Sequence, residues 1–292
     1  LHDPLFELCR YYADAHADQC GIAVTPVRGL TIVRALHPGQ LQAAVSRPLV
    51  AMLLQGRKRV TTSIASYEYG PGESMVIAAD VPTVSQITQA SIRSPYYSLV
   101  LELDIAIVRE LQDVVPAEQG DTPSVRIEPF DADVADAAYR LVRLLKQHEA
   151  IKVLGDGLLR ELHYWLLRSV HGSAIRALGA ADSYTERVSR AVAILRKDFM
   201  RPIRIEELAD AASMSVSMFH QHFRTITTLS PLQFQKQLRL IYARRLMVAD
   251  GVSIAQAAYA VGYASVSQFT REYARMFEVP PGRDLRLAKA KA

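Results

Sequence analysis

The feature that most constrains this chain is an internal repeat. Ser215-Val216-Ser217-Met218-Phe219 returns fifty residues later as Ser265-Val266-Ser267-Gln268-Phe269. The pattern continues past this block. Val216, Phe219, Phe223 and Ile226 are spaced three, four and three apart, and Val266, Phe269, Tyr273 and Met276 repeat those intervals. Such spacing puts apolar side chains on one face of a helix, and the serine before each helix can cap its first turn. Upstream of each serine the pattern predicts a second short helix. The first is Ile205 to Ala212, with Leu208 and Ala209; the second is Ile254 to Val261, with Ala257 and Ala258. Small residues there let two helices cross closely. Ser213-Met214 joins the first pair and Gly262-Tyr263-Ala264 the second, and Gly262 can take positive φ at no steric cost. Short helix, tight turn and capped amphipathic helix make a helix-turn-helix unit. This chain holds two.

Between the copies, Ser230-Pro231 is a helix start, since serine caps and proline is tolerated in the first turn. That helix should run to about Ala249, with Phe234, Leu238, Ile241 and Leu246 inward and Gly251 closing it. If the apolar stripes of the repeat pack inward, the opposite faces point out. They carry Ser217, Met218, His220, Gln221 and Arg224 in the first copy, and Ser267, Gln268, Thr270, Arg271 and Arg275 in the second. Most of these types hydrogen-bond, and can reach base edges in a major groove. Glutamine pairs bidentately with adenine and arginine with guanine. Arg224 and Arg275, further along, could instead grip phosphate. A rigid connector would hold both recognition helices on one face of double-stranded DNA, in major grooves about 34 Å apart, on an asymmetric site.

Charge agrees with this division. Residues 183–292 carry 17 basic and nine acidic residues, a net of +8, while residues 1–182 carry 17 and 21, a net of −4. A basic part joined to a mildly acidic one confines contact with a polyanion to the C-terminal part.

The N-terminal part reads differently. Ile32–Leu36, Leu49–Leu54, Met75–Ala79, Thr83–Thr88 and Tyr97–Leu103 are rich in β-formers and separated by turn signals such as Tyr69-Gly70-Pro71-Gly72. This implies a small antiparallel barrel or sandwich. Helical periodicity follows over 105–115, 131–147 and 155–171, with a loop at Gly120 to Pro123. The leucine stripe of 155–171 would pack on the barrel or against a second chain. Residues 173–182 read as a linker between domains 1–172 and 183–292, so the fold class is α+β. No apolar run approaches the ~20 residues of a membrane span. Residues 1–20 do not read as a signal peptide. Cys9 and Cys20 make no disulfide framework and no CxxC is present, so a cytoplasmic location is expected.

The C-terminal stretches IEELADAASMSVSMFHQHFR (205–224), SPLQFQKQLRLIYARRLM (230–247) and SIAQAAYAVGYASVSQFTREYARMFEVPP (253–281) resemble the AraC/XylS family of bacterial regulators. Val261-Gly262-Tyr263, the serine-capped helix after it and the closing Phe and Pro are the most specific part. Family members often carry arginine where Gln221 stands and glycine near Leu229. RPLVAMLLQGRKRV (47–60), YEYGPGESMVI (67–77) and SPYYSLVLELD (94–104) are similar to a subclass of that family. The resemblance implies that residues 1 to about 170 form a cupin-like β-barrel with helices that senses a small-molecule effector and can dimerise. It also implies transcription control, usually activation, acting through RNA polymerase.

Candidate effector contacts are Arg34, Tyr67, Tyr69, Gln86 and Tyr97, polar or aromatic residues on or beside the expected strands. The basic run Gly56-Arg57-Lys58-Arg59 reads as a solvated hairpin turn, with an anionic effector as its other reading. The competing function is a cupin-type small-molecule enzyme with a helical accessory domain. Such an enzyme usually needs His and carboxylate metal ligands clustered on barrel strands. The barrel region offers only His37, in an expected turn beside Pro38 and Gly39. His220 and His222, two apart on a helix, point to different faces. No cofactor, metal or covalent chemistry is expected.

Overall fold

The computed structural model describes every residue except 1–2, 40, 64, 113, 116–124, 181 and 290–292. The loop expected at Gly120 to Pro123 lies outside the described residues. Helix α1 (Pro4–His16) comes first, capped by Asp3. Nine strands follow: β1 (Ile22–Val24), β2 (Leu30–Ala35), β3 (Gln42–Ser46), β4 (Leu49–Gln55), β5 (Arg57–Thr61), β6 (Ser66–Tyr69), β7 (Glu73–Ile77), β8 (Val81–Gln89) and β9 (Tyr96–Glu102). Then come α2 (Ile105–Gln112), β10 (Val125–Pro129), α3 (Ala132–Arg143), α4 (His148–Arg168) and α5 (Gly172–Gly179).

The strands form two antiparallel sheets, one of six in the order β1-β2-β9-β4-β7-β10 and one of four in the order β3-β8-β5-β6. No ladder joins them among the described residues, so the expected cupin-like barrel is a two-layer sandwich. Side-chain alternation along each strand divides the apolar residues between two cores. In β4, Ala51 and Leu53 face the other sheet, while Val50 and Met52 face a layer of helices. That second core draws Leu5 and Cys9 from α1, Leu141 from α3, Leu162 and Leu166 from α4 and Ile175 from α5. The leucine stripe of α4 is therefore core. Burial pushes the Cys9 thiol pKa up, beyond the range in which it ionises.

The expected linker needs correcting. Residues Gly172–Gly179 are a helix, not an irregular tether, because Ala174, Ile175 and Leu178 supply an apolar face that the N-terminal core takes up. Gly179 lies against Val108 and Gln112 of α2 so closely that an added Cβ would come within 2.8 Å of both side chains. His171, just before α5, bonds through Nε2 to Ser74 Oγ of β7 at 2.8 Å.

The C-terminal part is helical: α6 (Tyr184–Asp198), α7 (Ile205–Ala211), α8 (Val216–Thr227), α9 (Pro231–Val248), α10 (Ile254–Ala260), α11 (Val266–Phe277) and α12 (Pro281–Lys289). The serine caps are present, Ser215 accepting from the Met218 N–H and Ser265 from the Gln268 N–H. Helices α8 and α11 both end on left-handed residues fifty apart, Thr228 at φ 64° and Glu278 at φ 59°. The turns correspond too, Ser213 at φ 52° standing where the second unit has Gly262 at φ 85°. Phe219 and Phe223 pack with α6 and α7 in one core, and Phe269 and Tyr273 with α10 in another. The connector α9 serves both. Phe234 and Leu238 enter the first core, while Leu240, Ala243 and Met247 enter the second. Ile241 and Leu246, expected inward, are only half-buried, because a helix between two cores has no single inner face.

Two stability measurements follow. An added Cβ at Gly262 would lie 2.6 Å from the Met200 carbonyl oxygen, whereas Gly251, at φ 68°, has open space around it. Gly262→Ala should therefore lower the urea-unfolding free energy by ~2 kcal/mol or more, and Gly251→Ala by only about 1 kcal/mol. The second concerns His171, whose pKa burial and then the nearby Arg126 push down to about 4. The unfolded imidazole titrates near 6.5, so the unfolded chain binds more protons between these values. Stability from this group is complete above about pH 6.5 and is lost as pH falls toward 4. Between pH 7 and pH 4.5 the fall should be smaller by about 2 kcal/mol in His171→Gln than in the natural chain.

Candidate nucleic-acid interface

The two capped helices expose the faces that the repeat assigns to solvent. On α8, Ser217, Met218, His220, Gln221 and Arg224 are all exposed. On α11, Ser267, Arg271 and Arg275 are exposed and Gln268 and Thr270 half-buried. Phe219 and Phe223 behind the first face, and Phe269 and Tyr273 behind the second, are fully buried, which fixes each helix's rotation. Met218 is an apolar side chain left 39% exposed beside polar ones, a type that suits the methyl of thymine. His222 turns away from this face and stacks on Tyr184 with ring centroids 3.5 Å apart.

Side-chain bonds to loop carbonyls tie the two units together. Gln235 donates to the carbonyls of Phe199 (3.0 Å) and Arg201 (2.7 Å). Arg239 donates to Phe199 O at 2.8 Å and, from its other end, to Gly262 O at 3.1 Å. Both donors stand on α9; the acceptors are the end of α6 in the first unit and the turn in the second. Near the C-terminus, Tyr273 Oη donates to Asp284 at 2.6 Å and Arg244 Nε reaches the same carboxylate at 2.7 Å. Burial first, and then that carboxylate, push the Tyr273 hydroxyl's pKa well up.

The outer face of the four-stranded sheet abuts this domain. Val45 of β3 packs into the first helix-turn-helix core and Ala43 against the second. Ile226, near the end of α8, is partly buried against the sandwich, and Thr228 Oγ1 meets Ser63 Oγ at 2.6 Å. Arg196 of α6 pairs with the largely buried Asp80 after β7 and donates to the carbonyls of Val45 and Ser46. Burial raises the Asp80 pKa, with Arg196 and Ser189 opposing that rise. Of the clefts at the junction, two are the larger ones. One of about 330 Å³ lies between Pro48, Ala79 and Ile105 on one side and Val188, Val192 and Ile226 on the other. The other, about 520 Å³, lies between Thr61, Ser63 and Val84 of the sheet and Lys236, Glu272 and Arg275 of the helices.

The five expected effector residues are not brought together. Arg34 and Tyr97 lie on the helix-facing side of the six-stranded sheet, and both reach Asp14 of α1, Arg34 Nε at 2.8 Å and Tyr97 Oη at 2.6 Å. Gln86 lies on the outer face of the smaller sheet and donates to Gly39 O at 3.2 Å. Only Tyr67 and Tyr69 belong to the sandwich interior. There they meet two residues absent from the expected set. Lys58 stands directly opposite Tyr69 across β5 and β6, on the face that alternation shares with buried Val60. Tyr96 enters from the other sheet. The hydroxyls of Tyr69 and Tyr96 are buried and lie close enough to perturb each other, with Ser98 beside Tyr96, though neither makes a well-formed hydrogen bond among the described residues. Burial pulls the Lys58 ammonium pKa down to about 8, no carboxylate pairs with it among the described residues, and burial pushes Tyr96 up to about 12. Taking Gly56 to Arg59 for a turn missed this. Alternation along a five-residue strand puts Arg57 and Arg59 outside and Lys58 within.

Elsewhere, His163 is a packing residue that bonds Leu159 O and the Asp104 N–H. Among the described residues, no three His, Cys, Asp or Glu side chains cluster as a metal site, and no helix is long and apolar enough to cross a membrane.

A β-sandwich with a helical layer, joined to a basic domain with two exposed capped helices, defines a two-domain protein of the paired helix-turn-helix class. Residues 26–174, half of the chain, match the AraC-type transcriptional regulator N-terminus, and residues 208–287 match a helix-turn-helix domain. The chain belongs to the family of AraC-type transcriptional regulators. It is 32% identical over 117 residues to the HTH-type transcriptional regulator AlkR of Acinetobacter baylyi, covering 40% of this chain and 34% of that one. It is 32% identical over 108 residues to the HTH-type transcriptional activator RhaS of Citrobacter koseri, covering 37% and 38%. It is 26% identical over 154 residues to the virulence regulon transcriptional activator VirF of Yersinia enterocolitica, covering 51% and 55%. These matches span a third to just over half of the relatives' lengths. Among solved structures, ToxT of Vibrio cholerae with an unsaturated fatty acid bound shares the fold at TM-score 0.54 and 14% identity, over 87% of this chain and 94% of that one.

Proposed function

We propose that this protein binds double-stranded DNA in a sequence-specific manner and regulates transcription in response to a small molecule, as an activator. The observation that carries the reading is the pair of in-register, serine-capped helices, each buried on one side and exposing hydrogen-bonding side chains on the other. Helices α8 and α11 enter successive major grooves. Ser217, Met218, His220, Gln221, Ser267, Gln268, Thr270 and Arg271 reach base edges, and Arg224 and Arg275 reach bases or phosphate. RNA polymerase and a second copy of the chain are its expected protein partners. Binding an effector better in one arrangement of the two domains shifts the population competent for DNA.

The effector is a small acid with an apolar body, held inside the sandwich. Lys58, which has no anionic partner among the described residues, and the buried hydroxyls of Tyr69 and Tyr96 supply a cation and hydroxyl groups able to donate. Leu53, Met75 and Ile87 line the same interior. The fold likeness to ToxT, which has been seen with an unsaturated fatty acid and with a naphthalenyl butenoic acid, favours this class. Keeping an ammonium out of water with no counter-charge beside it is costly, which a bound carboxylate would relieve.

A gel shift on the gene's own upstream region, at two salt concentrations, tests DNA binding, because phosphate contacts make affinity fall steeply with salt. Arg271→Ala should cost about 1–3 kcal/mol and relax preference at one base pair; equal weakening on every sequence would assign Arg271 to phosphate instead. For the effector, oleate should raise the melting temperature of the natural chain and change its DNA affinity. Lys58→Met should lose both responses while binding DNA normally without oleate. An unchanged response in Lys58→Met would remove that lysine from the site.

A further inference from the structure

The second recognition helix carries a carboxylate on its flank. Glu272, one turn after Gln268, accepts three side-chain hydrogen bonds: from Lys236 Nζ of α9 at 2.8 Å, from Tyr263 Oη of the turn at 2.7 Å, and from Gln268 Nε2 at 3.2 Å. Partial burial opposes its charge, but the three donors outweigh it and hold the carboxyl pKa below its ordinary value. Tyr263 is buried, and burial and this carboxylate push its hydroxyl's pKa well up, so it stays a donor. The first unit is built differently. Fifty residues earlier stands His222, which stacks on Tyr184.

An ionised carboxylate only accepts hydrogen bonds. It repels the oxygen of a neighbouring amide and attracts the NH2. The two ends of a glutamine amide are nearly alike in size, so a free side chain offers a base either end. Beside Glu272 this freedom is lost. The N–H pointing away from Oε1 goes to the carboxylate, and the edge left free holds Oε1 and the second N–H. That acceptor and donor pair complements N6–H and N7 of adenine.

We propose that Glu272 is a positioning residue for DNA readout, locking the Gln268 amide in one orientation and so setting the base preference of α11, while Lys236 and Tyr263 hold the carboxylate in place. This rests on the reading of α11 as a base-contacting helix. The test selects full-length protein on a randomised duplex pool and scores preference at each position, with thermal melting in parallel. Gln268→Ala should relax preference at one position. Glu272→Gln, which keeps the shape but can donate as well as accept, should relax the same position by about tenfold or more. Adding Glu272→Gln to Gln268→Ala should change nothing further, and Glu272→Asp, still acceptor-only, should retain the preference. If Glu272→Gln weakens binding equally on all sequences, or leaves the preference intact while Gln268→Ala relaxes it, the proposal falls and the reading of α11 stands. If Gln268→Ala leaves every preference unchanged, the reading of Gln268 as a base contact falls, and the proposal with it.

Discussion

The structure of the DNA-binding half depends on one shared helix. A pair of helices seven and twelve residues long cannot enclose a core alone. Each unit is completed by α9, which offers Phe234 and Leu238 to one and Leu240, Ala243 and Met247 to the other. Hydrophobic burial is non-directional and fixes the spacing of the units more than their angle. Angle comes from directed bonds. Arg239 joins the end of α6 to the turn at Gly262, and Gln235 holds the carbonyls of Phe199 and Arg201. These acceptors are loop carbonyls with no helical partner, so the bonds satisfy groups that would otherwise lose water for nothing.

The same reasoning applies between the two halves of the chain. The smaller sheet meets the helices through modest apolar contacts at Val45 and Ile226, and through polar ones at Ser63 and Asp80. A largely buried ion pair such as Asp80–Arg196 adds little net stability, since removing two charges from water costs about as much as their attraction returns. Its effect is on geometry. Arg196 also donates to two strand carbonyls through the same Nη2 that meets Asp80, so these bonds form together in this arrangement of the halves. Clefts are left open along this junction rather than filled by side chains. Both recognition helices have their C-terminal ends beside it.

Much was legible beforehand because it was local. Serine before an apolar stripe, Gly262 in a turn and Ser230-Pro231 at a helix start are decided by backbone geometry within a few residues, and all are present as read. The five expected strands lie within one or two residues of β2, β4, β7, β8 and β9, as with Tyr96–Glu102 for the expected Tyr97–Leu103, whereas β1, β3, β5, β6 and β10 carry too little β-forming character of their own and form only by pairing. What was missed depends on partners distant in the chain. Residues 173–182 have a linker's composition, yet Gly179 among them fits closely against α2 because it has no side chain. Helix α1 went unread, because its apolar residues have meaning only once β2 and β9 lie beneath them. Lys58 was hidden in a basic run, and only the pairing of β5 with β6 and β8 turns it inward.

By itself the chain determined that there are two capped recognition helices, which side of each is wet, and that the basic charge lies in their domain. Those are matters of periodicity and capping, set by residues within a few turns of one another. The tertiary structure alone decided which polar groups share a space: Lys58 with Tyr69 and Tyr96, Glu272 with Lys236, Tyr263 and Gln268. Such meetings depend on strand register and helix packing between segments far apart in sequence, and no local pattern encodes them.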